Sequence, residues 1–397
     1  MLKIGDPAPA RAAPERSALW SIGFRPFYLL ASGFAAMSIL LWVFQVTGVL
    51  PASFVRNPAW HGHEMLYGYT MAVVAGFLLT AVRTWTGKPT PAGPPLIALA
   101  ALWVAGRVLM LTPFGTAAAV ANAAFPVAIA IAIAIPIVRS RNQRNYFFIA
   151  LLLLLGAGVL AFHLAHLRVL ALPWPERASL QVGLDVVLFI LAVMGGRVIP
   201  AFTNRGVAGA KATRHPLLER LALAGVLVLL ACDLLQAPPQ AIAVVAAAVA
   251  ILHAARLHCW QPWRTLRTPI VWVLHVAYGW IIVHLVLRAL AGWGLTGESL
   301  AVHALTVGAI GGMTMGMMTR TARGHTGRAL VADGYEVTCY ALVALAAVIR
   351  VFGGMAFPGA YLLTVVMSGI CWSVAFALYA VRFWPVLSQP RVDGKPG

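Results

Sequence analysis

The chain has 397 residues, of which 61% are hydrophobic and 10% are charged. Soluble domains carry roughly 25% charged residues, so this composition excludes an ordinary soluble globular protein. The net charge of +18 invites a nucleic-acid partner, but the placement of the charges argues against one.

Residues 1–19 hold Pro7, Pro9, Pro14, Lys3, Arg11 and Arg16. They read as a cytoplasmic tail, with no small-residue site of the kind that ends a cleaved signal peptide. Apolar runs near the ~20 residues needed to cross a bilayer then recur along the chain. They predict an all-α polytopic bundle of about twelve transmembrane helices: 26–46, 63–82, 93–112, 116–138, 146–167, 179–200, 217–236, 238–255, 269–290, 299–319, 337–353 and 358–381. Pro238-Pro239 makes the boundary between the seventh and eighth a turn. The bundle is one domain over 26–381, and residues 382–397 form a second cytoplasmic tail.

With the N-terminus inside, twenty-three of the Lys and Arg residues fall on the inner side. Only Arg56, Arg107, Arg168, Arg177, Arg288 and Arg350 fall outside. That is the positive-inside bias of a multi-pass protein. It predicts a multi-pass membrane protein with both termini cytoplasmic, and it explains the basic character without nucleic acid. The four cysteines, Cys232, Cys259, Cys339 and Cys371, form no C-x-x-C or C-x-x-C-H motif. Covalent c-type haem and a cysteine-held iron–sulfur cluster are therefore not expected.

Six of the eleven histidines fall at the outer end: His61 and His63 opening the second span, His163 and His166 closing the fifth, His284 in the ninth and His303 in the tenth. At about 1.5 Å rise per residue they share a layer roughly 10 Å deep. A single membrane histidine is more often a hydrogen-bonded packing residue. Six on four helices make a metal or haem site the better reading, because ionisable groups in a bilayer are costly and usually mark a site. His163 and His166 share a helix face. His61 and His63 lie on opposite faces of a regular helix and could meet one centre only if His61 precedes the helix. Glu64 and Asp185 lie in the same layer and are candidates for an acid or proton-relay role, against a plain structural role as partners of histidine. Arg107, Arg288 and Arg350 are candidates to pair with cofactor carboxylates, against snorkelling at the interface.

The second and tenth spans echo each other. From His63 the chain reads H-x4-G-x7-G-x6-R-x2-T-G through Gly68, Gly76, Arg83, Thr86 and Gly87. From His303 it repeats through Gly308, Gly316, Arg323, Thr326 and Gly327. Asp185 and Arg205 repeat the His63-to-Arg83 spacing in the sixth span. The pattern suggests three four-helix units around one site, with His63 and His303 facing the same space.

Four ordered segments resemble the NnrS family. They are Gly23-Phe24-Arg25-Pro26-Phe27; Trp60-His61-Gly62-His63-Glu64-Met65 with Gly76-Phe77-Leu78-Leu79-Thr80; Gly196-Arg197-Val198-Ile199-Pro200-Ala201-Phe202-Thr203-Asn204; and His303-Ala304-Leu305-Thr306-Val307-Gly308 through Arg323-Gly324-His325-Thr326-Gly327-Arg328. The resemblance implies a membrane protein of the bacterial nitric oxide response that contains haem and copper. The absence of C-x-x-C-H makes the haem a non-covalent haem b. Nitric oxide is then the expected small-molecule ligand or substrate, membrane lipid the surroundings, and the electron donor is open. The spacing of the histidine helices is also similar to the haem–copper oxidase catalytic subunit, at the level of fold alone. A nitric oxide reductase-like activity leads this reading. The alternatives are a transporter of a metal, a haem or a nitrosylated metal complex, and a haem sensor without turnover.

Overall fold

The computed structural model describes residues 18–50, 58–168 and 176–395. Most of the N-terminal tail and Arg56 lie outside the described residues. Twelve helical segments follow in order: α1 Phe24–Val46, α2 Pro58–Thr86, α3 Pro94–Leu109, α4 Gly115–Arg139, α5 Phe147–His166, α6 Glu176–Gly206, α7 Pro216–Leu234, α8 Pro239–Cys259, α9 Pro269–Gly292, α10 Glu298–His325, α11 Gly334–Ala356 and α12 Tyr361–Ser388. No strand occurs among the described residues.

Ten of these helices are long and apolar enough to cross a membrane. The other two fall short for different reasons. α3 has 16 residues, below the roughly 20 of a perpendicular span. α7 has 19 residues but carries Glu219, Arg220 and Asp233. The protein is thus a multi-pass helical membrane protein.

Helix starts follow local chemistry. Pro58, Pro94, Pro216, Pro239 and Pro269 each open a helix, where the missing N–H costs nothing and φ is already helical. Asp333 caps α11 through a reciprocal capping box with Glu336, which satisfies two orphan donors. α12 continues to Ser388, so residues 382–388 are helix rather than tail.

Consecutive helices pack side by side, and α12 closes on α1. The apolar windows of α2 and α6 are 78% and 83% buried, against 33% for α8 and α11. α2, α6, α9 and α10 therefore make the interior, and the others form a largely lipid-facing shell.

The echo between α2 and α10 has a backbone counterpart. Immediately after His63, α2 widens into π-helical turns over Glu64–Thr70. Immediately after His303, α10 does the same over Ala304–Gly311. π-turns inside α-helices are rare and cluster at functional sites. Gly87 and Gly327 both take positive φ just past the helix ends, +64° and +78°, which favours glycine there. α6 is α-helical throughout, and α11 holds a further π-segment over Ile349–Gly353.

Candidate functional site

The helix start at Pro58 settles the geometry of His61 and His63. Both lie inside the helical turn Pro58–His63, so two residues of separation turn them to opposite sides. The six histidines accordingly divide into two groups at one end of the bundle.

The first group faces a cavity of about 840 Å³ bounded by α1, α2 and α6 through α12. That size is within the roughly 300–1,000 Å³ of cofactor and ligand pockets. Its walls are mostly apolar, including Trp42, Met65, Leu184, Val307 and Trp372, and its imidazoles are His61, His284 and His303. His284 Nδ1 lies 2.8 Å from the Ala301 carbonyl, and His303 Nδ1 lies 2.6 Å from the Ser299 carbonyl. A carbonyl only accepts, so each Nδ1 carries the proton and each Nε2 keeps its lone pair. That is the tautomer and orienting bond of a typical metal-ligating histidine. His284 Nε2 is buried without a hydrogen-bond partner. His61 stacks on Trp42, with ring centroids 4.9 Å apart and planes at 13°.

Three arginines, Arg177, Arg288 and Arg350, also line this cavity. Arg288 donates to Asp185 at 2.8 Å and also bonds Asp233. Asp185 is fully buried and stands behind the wall, reached through Arg288 and Gln181, whose Nε2 donates to Asp185 at 3.2 Å. Arg350 donates to the Tyr361 hydroxyl at 3.3 Å. Arg177 pairs with Glu298 at the exposed rim.

The second group sits on the other side of α2, against α3 and α5. His63 Nδ1 lies 2.8 Å from Glu64 Oε1. Arg107 Nη1 donates to the same oxygen at 2.9 Å and also bonds Asn122. The His163 ring is 5.0 Å from that of His63, nearly perpendicular, and Phe162 packs on both. The Nε2 atoms of His63 and His163 are buried without partners. Gly68 makes this arrangement possible: a Cβ there would stand 2.4 Å from Arg107 Nη1. His166, on the same helix face as His163, is half-exposed and lies 3.0 Å from Glu176.

His63 and His303 therefore do not face one space, as their shared place in the echo predicted. Glu64 and Arg107 hold the His63 ring toward α3 and α5, whereas His303 opens into the cavity. Arg107, with Glu64 and Asn122 as partners, is likewise outside the cavity lining, while Arg288 and Arg350 are within it. Among the described residues, no three His, Cys, Asp or Glu side chains converge to hold a metal ion. Haem iron needs only one or two axial imidazoles, and the His284–His303 pair fits that smaller requirement.

Sequence reading missed Asn122, Asp233, Arg177 and Trp42. Asp233 was detectable as a carboxylate at the outer end of a predicted span. Trp42 and Asn122 carry no such signal, because each gains its partner only from packing.

The structure is that of a polytopic helical membrane protein with a histidine- and arginine-lined cavity at one end. The sequence match gives the family: the NnrS family model, described as "NnrS protein", covers residues 18–391. The chain belongs to the NnrS family. No curated protein matches the sequence.

Proposed function

We propose that this chain is a haem-binding protein of the bacterial cytoplasmic membrane that handles nitric oxide and reduces it. The observation that carries the reading is the cavity, where His284 and His303 present Nε2 lone pairs among apolar walls and arginines. A bound b-type haem would supply the iron that binds nitric oxide and passes electrons to it. His284 and His303 are the residues that would hold such a group, with His61 third. Arg288, Arg350 and Arg177 are placed to pair with haem carboxylates by charge-assisted bonds.

The remaining steps belong to the protein's own groups. Nitric oxide is apolar and reaches the cavity through lipid and the apolar wall. Reductive coupling joins two nitric oxide molecules through an N–N bond and breaks one N–O bond, taking two electrons from an external donor and two protons and releasing nitrous oxide and water. Asp185 is joined to the cavity wall through Arg288 and is the carboxylate assigned to proton handling. The copper that the resemblance implies fits the His63–His163 pair, where two buried imidazole nitrogens have no other partner. Imidazole suits copper, and Glu64 orients His63 from behind. By the positive-inside rule, the histidine end is periplasmic, and Arg323, Arg328, Arg382 and Arg391 are cytoplasmic.

Purified protein should show a Soret band, and acid acetone should extract the haem. A colourless protein from haem-replete cells, unable to take up added hemin, would overturn the reading. Nitric oxide consumption with an artificial reductant separates an enzyme from a sensor. A C-terminal reporter active only in the periplasm would overturn the orientation.

A further inference from the structure

Two carboxyls share one guanidinium in the cavity wall. Arg288 of α9 donates through Nη1 to Asp185 Oδ1 of α6 at 2.8 Å and through Nη2 to Asp233 Oδ2 of α7. Both nitrogens hang from one carbon, so the two carboxyls stand side by side, within hydrogen-bond reach of each other. The group is held out of water. Asp185 is fully buried, and the side chains of Arg288 and Asp233 are only 9% and 10% exposed.

When both carboxyls are ionised, Arg288 cancels one negative charge and leaves the other. The neighbouring elements do not supply a second counter-charge. Arg177 of α6 pairs with Glu298 of α10 at the exposed rim. Glu64 of α2 pairs with Arg107, and Glu176 at the start of α6 meets His166 of α5. From α8, the apolar Pro239 and Ile242 line this part of the cavity. His284, one turn before Arg288, already gives its Nδ1 proton to the Ala301 carbonyl, and a second proton on its Nε2 would meet no acceptor.

The two oxygens of Asp185 differ. Oδ1 accepts from Arg288 and from Gln181 Nε2, the latter at 3.2 Å. No donor among the described residues reaches Oδ2. A buried charge without a partner is costly and is normally neutralised, and two carboxylates that share a site do not both ionise. One proton on Asp185 Oδ2 answers both problems. It cancels the excess charge, and it turns an unmatched acceptor into a donor beside Asp233. Asp233 in turn lines the cavity, so the proton has a way from the buried carboxyl to open volume.

We propose that Asp185 and Asp233 hold one proton between them, with Arg288 as their common counter-ion, and that the pair is an exchangeable proton store opening on the cavity through Asp233. The use of that proton rests on the proposed function, because reduction in the cavity consumes protons; the store itself needs only the three side chains. Only O–H bonds change. Asp185 passes its proton to Asp233, Asp233 releases it on the cavity side, and water entering from the rim restores it.

Infrared spectroscopy of the full-length protein in detergent at neutral pH reads this proton and needs no haem. Wild type should show the C=O band of a protonated carboxyl. Isotope-labelled aspartate should move the band, which excludes the buried glutamates, and heavy water should shift it within minutes. The band should be lost in Asp185→Asn and equally in Asp233→Asn, because either change leaves one carboxylate for one guanidinium. Should Asp185→Asn fail to fold, Asp233→Asn, at the cavity surface, decides alone. A wild type without the band would overturn the proposal, because both carboxyls would then be ionised. A band retained in Asp233→Asn would overturn it by placing the proton on Asp185 alone, and a band that resists heavy water for hours would show a structural proton instead of a store. A colourless protein with the band refutes the haem reading and keeps the store, whereas a haem protein without the band does the reverse.

Discussion

His61, His284 and His303 share a depth and a chemistry with His63 and His163, yet the two sets meet different surroundings. The first set borders open volume, and two of its rings are steered by backbone carbonyls. The second is packed among Phe162, Tyr67 and Arg107, and a buried carboxylate holds its leading ring. A neutral carbonyl behind an imidazole fixes a tautomer without adding charge. A carboxylate adds charge and raises the basicity of the ring. On the proposed reading, the cavity set takes the large planar cofactor and the packed set the small cation.

The sharpest way to break that distinction is to remove rings one set at a time. His284→Ala and His303→Ala should each lower retained haem by at least about ten-fold, the scale of losing a metal-site contact. His63→Ala should leave the haem-to-protein ratio intact and lower only the copper content. His258→Ala, beyond the far end of the cavity, should change neither. Pyridine haemochrome absorbance and metal analysis on the same preparations give the answer. Equal haem loss from His63→Ala would merge the two sets into one site.

The ion pairs behind the two sets should also differ. Glu64→Ala removes the carboxylate that pairs with Arg107 and leaves its buried charge with Asn122 and the Phe34 and Trp103 rings. Breaking a buried pair this way costs about 3–5 kcal/mol. Asp185→Ala should cost less, because Arg288 keeps Asp233. Thermal unfolding in detergent should rank Glu64→Ala below Asp185→Ala, and the reverse order would show that Asp233 is not an effective partner.

The echoed glycines probe both sets in the same way. A Cβ at Gly68 would stand 2.4 Å from Arg107, and one at Gly308 would stand 2.4 Å from Trp280. Overpacking of this kind typically costs about 1–3 kcal/mol. Gly68→Ala should disturb copper content and Gly308→Ala haem content, whereas Gly33→Ala, with nothing within 4 Å, should leave both unchanged. Identical spectra and stability in all three would mean that the helices separate at no cost.

Much of this was readable in the chain. Apolar runs located the helices, because the bilayer imposes a length, and prolines fixed several starts. The His63 and His303 echo was readable too, and it reappears as paired π-helical turns. The direction each ring faces was not readable. His63 turns from the cavity because Glu64 is its neighbour and Arg107 arrives from α3, and the latter is a contact between helices. The spacing from Asp185 to Arg205 has no such backbone counterpart, because α6 is α-helical throughout.

The smallest effect belongs to the basic end, farthest from both histidine sets. Asp333 caps α11, accepting from the backbone N–H groups of Tyr335 and Glu336. Partial burial pushes its carboxyl up, but hydrogen bonds from Arg382 and the Glu336 N–H, with the charges of Arg382 and Arg323, outweigh that and hold it below the usual carboxylate range. A depressed folded value means the unfolded chain takes up the proton first. The stabilisation is therefore complete above the ordinary aspartate value of about 3.9 and is lost as pH falls through the lower folded value. Removing the cap with Asp333→Ala should cost about 1 kcal/mol at neutral pH, discounted for the solvent that reaches its ion pairs. The difference between wild type and variant should shrink as the pH falls below that range, while haem content stays equal throughout. A difference that grows with acidification would mean that Asp333 is protonated in the folded protein, and the capping box would not be the source of its stability.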